Sequence, residues 1–127
     1  VSLMVFVDTN VIIDLLAGDK NIVSLLNNLS ENEEIKTTTI TEYELLKHKN
    51  KLKKQLAEDF LSEVTVYSFD KEAARKSALL FGKLKESGKL INENDLLIAG
   101  IVLANNEVLL TRDRKFGNIN DASIKIV

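Results

Sequence analysis

The stretch LMVFVDTNVIIDLL, Leu3 to Leu16, decides the fold. Its first five residues are uniformly apolar, which suits a strand buried on both faces rather than one alternating between core and water. Asp8 stops the run. From about Asn10 the spacing changes: Val11, Ile12, Leu15 and Leu16 fall on one side of a helix that Gly18 ends. A buried strand passing at once into a helix is half of a βαβ unit, and the alternation recurs down the chain.

Ile22, Leu25, Leu26 and Leu29 keep the spacing of a second helix. Glu34–Thr39 reads as a strand, Thr41 opens a helix carrying Glu44, and a further helix is predicted over roughly Lys53–Leu61. Val64–Phe69 is strand-like. Asp70 caps a long helix marked by Ala74, Ala78, Phe81 and Leu84 and closed by Gly88. Asn92 or Asn94 caps the next helix, which is apolar nearly all round and therefore central, and Asn105–Asn106 ends it. Glu107–Thr111 and Ile124–Val127 are the last strands. No tight hairpin signal interrupts the series. The expected class is α/β, a parallel sheet covered by helices on both faces, in one domain spanning 1–127.

A chain of 127 residues suits a single continuous core. The absence of cysteine excludes disulfides and thiolate metal sites, so a bound metal would need oxygen ligands or the lone His48. A net charge of −2 does not advertise nucleic-acid binding by the whole chain, and any basic patch must be local. Val1–Val7 lacks a positive leader and is cut off by Asp8, so it reads as a strand and not as a signal peptide. The longest apolar run, Leu96–Ala104, is far short of the about 20 residues that cross a bilayer. A soluble, cytoplasmic protein without a membrane partner is expected.

In open parallel sheets, ligands sit beyond the carboxyl ends of the strands, where strand order reverses. Four acids are expected at that edge: Asp8 closing the first strand, Glu44 in the first turn after the second, Asp95 in the first turn of the central helix, and Asp113 just past Thr111. Each has an ordinary explanation. Asp8 can cap a helix; Glu44 with Thr41 fits a capping box; Asp95 suits a helix N-terminus; Asp113 lies between Arg112 and Arg114 and can form a loop salt bridge. Together they raise a difficulty. Two carboxylates about 4 Å apart repel by about 4 kcal/mol at an effective dielectric near 20, so such a cluster takes up protons or a cation. With oxygen donors only, the cation is Mg²⁺ or Mn²⁺, and such a site suits phosphoryl chemistry.

The same segments carry a family resemblance. Val5–Leu16 resembles the opening motif of PIN-domain nucleases. Ile40–Leu45 resembles their second motif, with Glu44 rather than Glu42 as its acid. Asn94–Ala99 resembles the third, with Asp95, and Leu110–Phe116 the fourth, with Asp113. The match runs in order across nearly the whole chain, and its compactness is similar to that of the VapC toxins. The lysine-rich stretch after Glu44, and the lack of a glycine there, depart from many relatives.

The resemblance implies a PIN-like three-layer sandwich with strand order 3-2-1-4-5. It also implies a Mg²⁺- or Mn²⁺-dependent endoribonuclease in which Asp8, Glu44, Asp95 and Asp113 are the catalytic and metal-holding residues and an activated water is the nucleophile. It further implies homodimers and a VapB-like antitoxin partner.

Around the acids, Asn10 either caps the first helix or steadies Asp8 or a metal-bound water, and the Thr111 hydroxyl could hold a carboxylate in place. Asp14 reads as a solvated helix residue. Lys47, Lys49 and Arg112 are the candidate RNA contacts, set against a solvated helix face for the lysines and local pairing for the arginine. His48 is too isolated to nominate as a base. Two rivals remain. Asp8, Thr9 and Asn10 also resemble the Asp-x-Asp opening of haloacid-dehalogenase phosphatases, with Asn10 replacing the second acid. In the other, the acids only cap helices in a non-catalytic interaction module.

Overall fold

The computed structural model describes residues 3–29 and 33–127. Val1 and Ser2, at the start of the apolar opening run, lie outside the described residues. β1 (Leu3–Val7) is the central strand, paired in parallel with β2 (Glu33–Thr38) on one side and β4 (Val108–Thr111) on the other. β3 (Thr65–Tyr67) extends the sheet beyond β2, and β5 (Ile124–Ile126) extends it beyond β4. The order is 3-2-1-4-5, all parallel, as expected. The chain steps outward from β1 through β2 to β3, then returns to the other side of β1. The reversal therefore lies between β1 and β4, beside Asp8 and Thr111.

The apolar run of β1 is divided between two cores. Val5 and Val7 point to one face, with Leu110 and residues of α1 (Thr9–Leu16), α2 (Lys20–Asn28), α3 (Thr39–Leu46) and α4 (Lys51–Glu63). Phe6 points to the other, with Leu109, Phe116, α5 (Lys71–Glu86) and α6 (Glu93–Ala104). A strand clothed on both sides has no face for water, which explains its unbroken hydrophobicity. No described helix is long and apolar enough to cross a membrane.

Several boundaries differ from the sequence reading. Asp8, not Asn10, caps α1, and Asn10 is the second helical residue. Gly18 takes φ +80° after that helix, a left-handed turn that a side chain would resist. α3 starts at Thr39 because the Thr38 hydroxyl accepts from the Thr41 amide at 3.1 Å. The Thr41–Glu44 capping box is therefore not formed. Glu44 stands in the second turn, and the first-turn acid is Glu42. The segment Arg114–Ile119 after β4 forms a 3-10 helix that periodicity did not suggest.

The buried stripe of α5 is Ala73, Ser77, Leu80 and Leu84, whereas Ala74, Ala78 and Phe81 are exposed. The helix buries its small residues because α6 comes very close. A Cβ on Gly100 would lie 1.8 Å from Ser77 Oγ and 2.9 Å from the Ala73 carbonyl oxygen. Ser77 Oγ is itself buried and makes no hydrogen bond among the described residues. Gly100→Ala is therefore expected to destabilise the protein by about 1–3 kcal/mol through overpacking. Ser77→Ala removes an unpaired hydroxyl and should leave stability equal or raised by up to about 1 kcal/mol. Urea midpoints of the two variants check both; an unchanged midpoint for Gly100→Ala would show that the helices part freely.

Candidate active site

Asp8 leaves β1 in an extended conformation and caps α1. Its Oδ1 accepts from the Val11 amide at 3.1 Å, and its Oδ2 accepts from the Thr111 hydroxyl at 2.5 Å. Only 3% of the residue is exposed. Burial pushes its carboxyl above the ordinary carboxylate range; the hydroxyl and the amide oppose this, and the charges of Asp113 and Glu44 add to it. Thr111 is fully buried, and its oxygen also accepts from the Asp113 amide at 3.0 Å. One hydroxyl thus fastens the end of β1 to the loop after β4.

Glu44 reaches the same edge from α3. Its Oε1 accepts from the Thr9 hydroxyl at 2.6 Å, and its Oε2 lies 3.5 Å from the side-chain Nδ2 of Asn94. Asn92 caps α6, which places Asp95 in the first turn, where the positive end of the helix favours a carboxylate. Even so, the Asp95 carboxyl is pushed up to about 6. Desolvation contributes most, followed by the charges of Asp113, Glu44 and Asp8. Asp113 caps the 3-10 helix, its Oδ1 accepting from the Lys115 amide at 2.9 Å. The four acids therefore act on one another, although they come from four separate segments.

All the donors of this cluster are carboxylate oxygens, the chemistry that suits Mg²⁺ or Mn²⁺. Among the described residues no three of these acids close into a ready-made cage. A magnesium ion does not require one, since it keeps several waters and is held by one or two carboxylates. The donor set fits such an ion.

Residues expected nearby are distributed less simply. Asn10 does not cap α1, and it is exposed with no hydrogen bond to Asp8 among the described residues. The Arg112 guanidinium turns away from Asp113 and bonds Asp14 at 3.0 Å and Asp19 at 2.9 Å, so the loop salt bridge with Asp113 does not form. Asp14 is therefore ion-paired and not merely solvated. The hydrogen bond from Arg112 is also what most holds the Asp19 carboxyl below its usual range. Lys47 is exposed with its Nζ 5.3 Å from the Tyr43 ring centre, and Lys49 is exposed in the α3–α4 connection. Neither forms an ion pair with Glu44 among the described residues. His48 lines an apolar groove between α1, α3 and α4.

Two polar residues of the site escaped sequence reasoning: Thr9 and Asn94, which both hold Glu44. Each is the chain neighbour of a motif acid, Asp8 and Asp95. That adjacency was the available signal.

Comparison with known proteins agrees with this fold. The PIN-domain family model matches residues 5–122. The chain is 32% identical over 95 residues to Ribonuclease VapC3 of Methanocaldococcus jannaschii, covering 75% of this chain and 94% of that protein. Among solved structures it is similar to a chain of VapBC-1 from nontypeable Haemophilus influenzae (TM-score 0.85, 27% identity, 98% of each chain). It is also similar to a chain of VapBC2 from Rickettsia felis, solved bound to a DNA fragment from its promoter (TM-score 0.83, 25% identity, 98% of each chain). By its family model, its relative and its strand order, the chain belongs to the PIN-domain family and is VapC-like within it.

Proposed function

We propose that this protein is a divalent-metal-dependent endoribonuclease, the toxin of a VapBC-like pair. One arrangement carries the reading: Asp8, Glu44, Asp95 and Asp113 arrive at the carboxyl edge of the sheet from four separate segments, and burial, with the charges of the other three, raises the Asp95 carboxyl to about 6. A fold that retains this repulsion across four segments has a use for the negative potential, and a bound cation is the simplest one.

Asp8, Glu44, Asp95 and Asp113 would hold the ion, Mg²⁺ or Mn²⁺. When bound, such an ion acidifies water and neutralises charge that builds on a phosphate and its leaving oxygen. The chain's own contribution is placement. Asp8 is fixed by Thr111 and Val11, leaving lone pairs on both oxygens. α1 and α6 both start at this edge, and their positive ends favour an RNA phosphate arriving there. Ribonuclease VapC3 supports RNA as the substrate.

The antitoxin reading rests on the VapBC structures and on the groove lined by Ile13, Leu16, Leu45, Leu52 and Leu56, a cavity of about 350 Å³. Its apolar lining suits the apolar face of a partner helix. A homodimer belongs to the same reading. The phosphatase alternative has no second residue, because Asn10 faces solvent.

Asp8→Asn or Asp95→Asn is expected to lower Mn²⁺-dependent RNA cleavage by at least about 100-fold, the loss of several kcal/mol of charge stabilisation, with the fold intact. Full cleavage by either purified variant would remove the assignment.

The raised Asp95 value also fixes a sign. From about pH 4 to about pH 6 the folded protein keeps a proton that the unfolded chain has released, so stability falls as pH rises through that window. Asp8, also raised, acts in the same direction. Asp19 is lowered, so its effect belongs to more acid solutions. With chelator present, the protein should therefore melt higher at about pH 5 than at about pH 7, and Asp95→Asn should flatten the difference. Mn²⁺ should restore stability at neutral pH by mass action on the folded state. A chelated protein that melts higher at pH 7 than at pH 5 would contradict this account of the cluster.

A further inference from the structure

Thr9 is the first residue of α1, and Thr41 lies in the first turn of α3. The Thr9 oxygen lies 2.6 Å from Glu44 Oε1 and 3.2 Å from the Thr41 hydroxyl oxygen. A hydroxyl has one proton to give. The carboxylate oxygen can only accept, and its contact is the shorter, so the Thr9 proton goes to Glu44. Thr41 is fully buried and has no other acceptor among the described residues, so it donates to Thr9. The chain of hydrogen bonds has one direction, from Thr41 to Thr9 to Glu44.

Nothing else holds Glu44 as firmly. It sits in the second turn of α3, beyond the reach of a cap, on a side chain with three rotatable bonds. Asn94 stands at 3.5 Å, the limit of a hydrogen bond. Thr9 also follows Asp8 directly, and Asp8 is held by Thr111, whose oxygen accepts from the Asp113 amide. Two threonine hydroxyls and one peptide bond therefore link three of the four acids.

We infer that Thr9 is a positioning residue: its hydroxyl holds Glu44 in the orientation that a divalent cation needs, and couples it to Asp8. The inference rests on the metal-dependent reading above. If the bond merely packed α1 against α3, its loss would lower stability and leave ion binding alone.

Thr9→Val keeps the branched shape and removes the proton, Thr9→Ser restores the hydroxyl, and Thr9→Ala serves the same comparison where valine prevents folding. Calorimetry with Mn²⁺ on these variants and the native protein is the test, together with the side-chain carboxyl ¹³C signal of Glu44 recorded without metal. Thr9→Val should weaken Mn²⁺ binding about 10- to 100-fold, as loss of a supporting hydrogen bond does, and should move the Glu44 signal. Thr9→Ser should return affinity to within about threefold. An unchanged Mn²⁺ affinity or an unmoved Glu44 signal in Thr9→Val, or no recovery in Thr9→Ser, would overturn the role of Thr9 alone. A native protein that binds no Mn²⁺ would instead overturn the metal reading and this inference with it.

Discussion

Like charges concentrated at one edge of a parallel sheet are the constraint on which the rest of the structure depends. Near the surface, two carboxylates about 4 Å apart repel by about 4 kcal/mol, a large share of the 5–15 kcal/mol by which small proteins are stable. A chain that brings Asp8, Glu44, Asp95 and Asp113 within each other's influence must fix each one independently, or they would turn outward into water. The parallel sheet does so by delivering them on separate elements, each anchored in a core on one face or the other.

The ordinary roles of these acids are compatible with the chemical role proposed for them. Asp8 caps α1 with Oδ1, and Asp113 caps the 3-10 helix with Oδ1. Asp95 occupies the first turn of α6. A carboxylate offers about four lone pairs, and a cap uses one. What remains is free for a cation while the cap keeps the side chain still. Helix capping thus steadies two of the four acids, Asp8 and Asp113, and an acid that both caps a helix and repels its neighbours is doing two compatible things.

Much of this was legible in the sequence because it depended on local pattern. The unbroken apolar run of β1, the stop at Asp8, and the all-round hydrophobicity of α6 each have a single local cause, and they place two of the acids, Asp8 and Asp95. What was illegible depended on competition or on distance. Thr37, Thr38, Thr39 and Thr41 all could cap α3, and only the extended backbone at Thr38 decides among them. Arg112 prefers two acids more than ninety residues away to the one beside it. α5 buries Ala73 and Ser77 in place of Phe81 because a glycine on another helix permits it. Periodicity finds the large residues first, whereas close helix packing selects the small ones.

That packing bears on the site as well. α6 carries Asp95 at its start and is buried without a break from Ile98 to Leu103. Its position along α5 is set by the fit of Gly100 against Ser77 and the Ala73 carbonyl, where no side chain could fit. Protein interiors are dense and transmit displacement, so a shift of α6 at Gly100 would carry its first turn with it. The orientation of Asp95 toward the other acids is then set partly by a contact between the two helices of its own layer. An acid can remain in a costly environment only if its backbone has nowhere else to go, and the tight α5–α6 contact supplies that restriction.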